Sequence, residues 1–157
     1  MHNVTWYATS SGVASTEAIV AALNWLTGGE AEISREKIKS YHGVRMTMLR
    51  VQIHRKKAAR ESIAHLGPQF LDQIAQSDNL VDRIDDGNTL HIRLCLSSLV
   101  RGSIELSEGA EEQVKGRIKL EVYPGQDSLN NAIKMLEASA NRATKLGLPN
   151  PPSNDSK

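Results

Sequence analysis

Apolar residues recur at every second position in several short stretches of this 157-residue chain, and that period constrains the fold more than any other feature. Val4, Trp6 and Ala8 alternate with Asn3, Thr5 and Tyr7 between His2 and Ser10. Leu90, Ile92, Leu94 and Leu96 alternate with His91, Arg93 and Cys95, and Ile118, Leu120 and Val122 alternate with Arg117, Lys119 and Glu121. Successive side chains of an extended chain point to opposite faces, so each stretch reads as a strand with one dry face and one wet face. A sheet of such strands needs helices over its dry side only.

The segments between them supply those helices. From Ser15 or Thr16, either able to cap, Ile19, Leu23 and Leu26 share a helical stripe that Gly28 and Gly29 stop. A hairpin follows, with one arm from Ala31 to about Lys39, a turn near Ser40, Tyr41, His42 and Gly43, and a second arm from Val44 to about His54. In the second arm Val44, Met46 and Met48 give way to Leu49, Val51 and Ile53, a change of phase that predicts a bulge near Met48. From Arg55 to Gln76 the spacing is helical, broken at Gly67 and Pro68. Leu80 to Ile84 and Thr89 to Leu96 form a second expected hairpin around the turn Asp85, Asp86, Gly87, Asn88. A turn at Ser97 to Val100, a short strand at Ile104 to Leu106, an acidic loop and a strand from Lys115 to Tyr123 lead to a last helix over about 127–147. Asp127 or Ser128 caps that helix, whose stripe is Leu129, Ile133, Leu136, Ala140 and Ala143. The expected class is α+β, in the order β-α-β-β-α-β-β-β-β-α, with a mixed or antiparallel sheet and helices chiefly on one face. One domain over 1–148 and a disordered tail over 149–157 complete the expectation.

Composition narrows the classes of function. A chain of this length buries roughly 70% of the surface its unfolded form exposes, enough for a core without disulfides, and Cys95 has no partner within the chain. Apolar runs are a few residues long, far short of the roughly 20 that a spanning helix needs. Met1, His2 and Asn3 lead directly into the first strand, so no leader is expected and the setting reads as reducing and cytoplasmic. The five histidines lack paired ligand spacing, and Asp82, Asp85 and Asp86 read as a turn, so neither metal nor cofactor is expected. No Gly-rich phosphate loop occurs. No nucleophile, base and orienter can be assembled from Ser10, Ser11, Ser97 or Ser98, so no enzymatic activity is expected either.

Charge is unevenly placed. The chain carries +1 overall, yet residues 35–60 hold nine Lys or Arg against Glu36 alone, while residues 1–34 sum to −3 and residues 61–157 to −4. Gathered cations mark a candidate surface for polyanions. Arg35, Lys37, Lys39 and Arg45 lie on the hairpin arms around its turn, and Arg50, Arg93, Arg117 and Lys119 are the wet alternates of their strands, which extend the positive surface. Lys and Arg there would neutralise phosphates and release counterions, giving affinity without sequence readout. A solvated hairpin would carry the same charges. Tyr41 has the chemistry to stack on an unpaired base and His42 to donate to a phosphate or 2′-hydroxyl, though both also suit packing over the hairpin end. With six aromatic residues and no strand bearing adjacent ones, recognition through backbone and shape is favoured over base reading.

Several of these residues, in this order, carry a resemblance. Trp6 in the first strand, Tyr41-His42-Gly43 before an apolar strand holding Leu49-Arg50, Asp85-Asp86-Gly87 before Leu90 to Leu94, and Gly102 to Leu106 before the strand Arg117 to Val122 resemble the archaeal RNA-binding family known as domain of unknown function 54. The likeness spans about residues 2–124, with the Tyr-His-Gly turn its most specific element. The chain departs from the pattern at Val44 and Arg45, where Asn and Pro are expected. The resemblance implies an α+β fold like that of the ribosomal protein that holds 5S RNA, RNA as partner, and a candidate association with exosome or ribosome components. A different class of function, a protein-interaction or homo-oligomeric module using the C-terminal helix, rests on the stripe from Leu129 to Ala143.

Overall fold

The computed structural model describes residues 3–10, 16–29, 32–39, 45–107 and 112–148, with the side chains of Ser10, Ile38, Lys39 and Arg45 left out of the description. The alternation of the first stretch becomes β1 (Asn3–Ser10), followed by α1 (Thr16–Leu26), β2 (Ile33–Lys39) and β3 (Arg45–Ile53). The helical segment breaks where expected into α2 (Lys56–Ala64) and α3 (Pro68–Ala75). Gly67 between them sits at φ 87°, open to glycine at little cost, and Pro68 begins α3 with the φ that a first turn wants. Then come β4 (Thr89–Cys95), α4 (Leu96–Val100), β5 (Gln113–Lys119) and α5 (Ser128–Leu146). Asp127 caps α5 by accepting from the Asn130 N–H at 3.3 Å.

The five strands form one antiparallel sheet in the order β2-β3-β1-β5-β4. The helices cover one side of it: α1, α2 and α4 pack on the strands, and α5 packs over α3 and α2. Val4, Trp6, Ala8, Leu49, Val51, Ile53, Leu90, Ile92, Leu94, Val114 and Ile118 point into that layer and are buried. Trp6 lies at its centre. Its indole N–H donates to Ser62 Oγ at 2.8 Å, and Ser62 Oγ donates to the Leu26 carbonyl at 3.1 Å, so one buried chain of hydrogen bonds ties β1 to α2 and α1. Directly across from Trp6 on β5 stands Gly116, where a Cβ would lie 2.4 Å from the indole Cζ3. A glycine inside a strand here is the space the ring occupies.

Four expectations are corrected. Leu80 to Ile84 is a single turn of 3-10 helix (Val81–Arg83), because short-range bonds such as Leu80 N–H to the Ser77 carbonyl and Arg83 N–H to the Leu80 carbonyl carry on from α3. Ile84 alone of this segment pairs with β4, as a bridge to Leu90. Ser97 to Val100 closes into α4, and Ile104 to Leu106 contributes one bridge, Leu94 with Leu106, in place of a strand. The bulge near Met48 is absent: Met48 pairs with Thr9 on one side and Glu36 on the other in unbroken register. The apparent change of phase arises because Met46 and Met48 belong to the wet face while Leu49, Val51 and Ile53 belong to the dry one.

The stripe of α5 is also accounted for. Leu136, Ala140 and Ala143 are buried within the chain's own helical layer, with Leu129 and Ile133 half-buried against it, so the face considered for oligomeric contact is occupied by α2 and α3. No described helix is long and apolar enough to cross a membrane.

Candidate nucleic-acid interface

The side of the sheet away from the helices carries the other alternates of each strand. Arg50, Gln52, Arg93, Lys115 and Arg117 are exposed, and Tyr7, His91 and Lys119 half-exposed, so no described element covers this face. Register lines them up across the sheet. Ser34 pairs with Arg50, Arg50 with Tyr7, Tyr7 with Lys115 and Lys115 with Arg93, a row that crosses all five strands. The adjacent row runs Gln52, Thr5, Arg117, His91, and a third runs Asn3, Lys119, Thr89. Directly opposed residues place their Cβ atoms about 4.5–5.5 Å apart, so each row is a continuous strip of side chains. Between the rows lies an open groove of about 460 Å³ that includes Thr5, Tyr7, Met48, Arg50, Gln52, Arg117 and Lys119 in its lining. A second recess of about 440 Å³ adjoins it along Tyr7, Met46, Met48, Arg93 and Lys115.

The cations of this face are little used by the protein itself. Lys115 Nζ stands 6.0 Å from the Tyr7 ring centroid, at the outer reach of a cation–π contact. Lys119 donates to the Gly87 carbonyl, and Arg50 Nη2 to Gln52 Oε1 at 3.5 Å. None of Arg50, Arg93, Lys115, Arg117 and Lys119 is held in an ion pair with another described residue. Acidic groups near the ends of the face are engaged instead. Asp85 meets His91 Nε2 at 2.8 Å and accepts from the backbone N–H groups of Gly87 and Thr89 at 2.9 and 3.0 Å. The hydrogen bond to His91, then that to Thr89, pulls its pKa down to about 2. Glu121 is bound by Lys56 at 2.9 Å and by the Tyr123 hydroxyl at 3.1 Å, with the Lys56 bond the main reason its pKa falls to about 2 and that of Lys56 rises.

The hairpin cations fall elsewhere. Arg35 pairs with Leu49 and Lys37 with Thr47, the dry-side positions of β3, so at this edge they lie on the helix side of the sheet. Arg35 there bonds Glu17 of α1 at 2.9 Å, an exposed pair of the kind worth no more than about 1 kcal/mol. Lys39 pairs with Arg45 in the same phase of the register; Tyr41 and His42 lie outside the described residues. The single positive surface drawn from the sequence is therefore divided by the pleat: Arg50, Arg93, Arg117 and Lys119 come together, and Arg35 and Lys37 do not join them. Two residues that the sequence did not single out belong to the face, Lys115 and Tyr7. The same alternation that marked Arg117, Lys119 and Trp6 was the signal for both. Among the described residues no three His, Cys, Asp or Glu side chains gather as metal ligands would.

Residues 7–123 match a family model described as RNA binding. Two similar solved structures are a DUF54 protein from Methanothermobacter thermautotrophicus, 26% identical with a TM-score of 0.70 over 88% of this chain and 97% of that one, and a DUF54 protein from Archaeglobus fulgidus, 26% identical with a TM-score of 0.65 over 88% and 98%. A UPF0201 protein from Methanococcus jannaschii shares the fold at 10% identity, with a TM-score of 0.59 over 86% of this chain and 92% of that one. No curated protein matches the chain.

Proposed function

Because the chain belongs to the RNA-binding family whose model spans residues 7–123, we propose that it holds structured RNA through the backbone, on the open face of its sheet, without chemistry of its own. The observation that carries this reading is the row Arg50, Tyr7, Lys115, Arg93, backed by Arg117 and Lys119, in which cations from three strands converge on a face the protein leaves uncovered. Each Lys or Arg that neutralises a phosphate releases counterions, so affinity falls as salt rises. Removing one such cation reduces the slope of log K against log salt by roughly 0.7–0.9.

Fluorescence anisotropy with a structured RNA across a salt series tests it. Replacing Arg93, Lys115 and Arg117 by Glu together should abolish binding at moderate salt, and Arg50→Ala should weaken it with a slope shallower by about one unit. The same charge reversal at Arg35 and Lys37, on the other side of the sheet, should change affinity far less. Salt-independent binding, or a larger loss from the Arg35 and Lys37 pair, would overturn the assignment of the face. The wider implication of the resemblance, a place in RNA processing or degradation or at the ribosome, is a question of which RNA is held. Crosslinking in cells followed by sequencing answers it: enrichment of ribosomal RNA would point to the ribosome, and of decay intermediates to degradation.

A further inference from the structure

Backbone recognition explains the cations of the open face but not its aromatic. Tyr7 is the one Phe, Tyr or Trp that a described strand presents on this side: Trp6 and Phe70 are buried, Trp25 is packed edge-on against His65 with centroids 5.7 Å apart, and Tyr123 lies beyond β5 on Glu121. It stands on the central strand, with Arg50 and Lys115 as its direct neighbours across the sheet. The groove beside it is lined by amide and hydroxyl groups, Asn3, Thr5, Gln52 and Thr89, as well as by the guanidinium and ammonium groups of Arg50, Arg117 and Lys119. A fully paired helix would offer this face phosphates and 2′-hydroxyls but no open base to stack on Tyr7, since its bases are stacked away inside it. A π face, flanking cations for the two adjoining phosphates, and side chains with both donors and acceptors at its margin are together what an unpaired nucleotide requires.

Resting on the RNA-binding reading above, we infer that the groove takes an unpaired nucleotide of the bound RNA, with its base stacked on Tyr7, its phosphates on Arg50 and Lys115, and its edge against Thr5 and Gln52. The preferred ligand is then RNA with a loop or bulge and not a continuous duplex. In the free protein Lys115 lies over the ring, and its flexible stem lets the ammonium move to a phosphate as the base arrives.

The test uses the full chain, a stem-loop RNA and a fully paired duplex of equal length, at one fixed salt concentration. The stem-loop should bind more tightly than the duplex. Tyr7→Leu, which keeps apolar bulk but removes the π face, should weaken the stem-loop by about 5- to 150-fold and the duplex by far less, with a cooperative urea transition as the check that the variant is folded. Tyr7→Phe should restore stem-loop binding. A 2-aminopurine in the loop should change its emission on binding wild type and not on binding Tyr7→Leu. Equal losses for both RNAs, or none for either, would overturn the stacking assignment while leaving the basic face intact. If the wild type bound neither RNA at that salt concentration, the RNA-binding face itself would be overturned, and the stacking assignment with it.

Discussion

Gly116 and Trp6 define each other. The indole occupies the volume a Cβ at position 116 would need, and it cannot swing away because Ser62 holds its N–H. Gly116→Ala should therefore cost about 1–3 kcal/mol, the range for an added methyl in a packed core, and Trp6→Phe in the same chain should recover part of it. Urea midpoints of the two single variants and the double variant read the coupling; simple additivity would mean that the two sites do not meet. Asp85 and Glu121 make a second prediction. Both carboxyls titrate at about 2 in the folded protein, below their ordinary values of 3.8 and 4.5. Their contribution to stability is thus fully present above about pH 4.5 and is lost as pH falls toward 2. The urea midpoint should fall through that window, and Asp85→Asn and Glu121→Gln should each flatten the fall; curves parallel to wild type would refute it. Of these contacts the sequence showed Trp6 as a core residue and Asp85 as a turn residue. It could not show Ser62, Lys56 or Gly116, because each meets its partner across 56, 65 or 110 positions of chain.

At the scale of elements, what was legible followed the strength of the pattern. Trp6 with Val4 and Ala8, or Leu90 with Ile92 and Leu94, keep one parity throughout, and those strands stand where the alternation puts them. β2 does not: Ile33 and Ile38 have opposite parity, and the cations between them give no sign of which face is dry. Its facing is set instead by pairing with β3, which puts Arg35 against Leu49. For the same reason Met46 and Met48, apolar but on the wet face, imitated a bulge. Helical spacing was easier to read, and α5 illustrates why it was easier to read than to interpret. Its stripe was plain, whereas what covers the stripe was not, until α3 and α2 were seen to lie on it. Leu136, fully buried there, should lose about 2–5 kcal/mol on truncation to Ala. Thermal or urea unfolding measures this, with a loss below about 1 kcal/mol marking the stripe as a free surface after all.

For the whole molecule, a charge of +1 conceals a face that is strongly positive and edges where acids are tied to partners. The linear runs of charge were a fair guide to the presence of a basic surface and a poor guide to its membership, since Arg50, Arg93, Lys115, Arg117 and Lys119 come from three strands that are distant in sequence. One consequence of the uncovered face concerns how such a protein can change over generations. Neighbouring residues of a single strand are suited to separate purposes: Trp6 and Ile118 are buried and hold the fold, while Tyr7 and Arg117 lie on the open face proposed to meet RNA. Substitutions at one parity can therefore retune which RNA is held without spending stability, and those at the other can alter stability without touching recognition. Divergence among relatives should accordingly concentrate on the wet alternates, so that a shared scaffold can come to serve different RNAs.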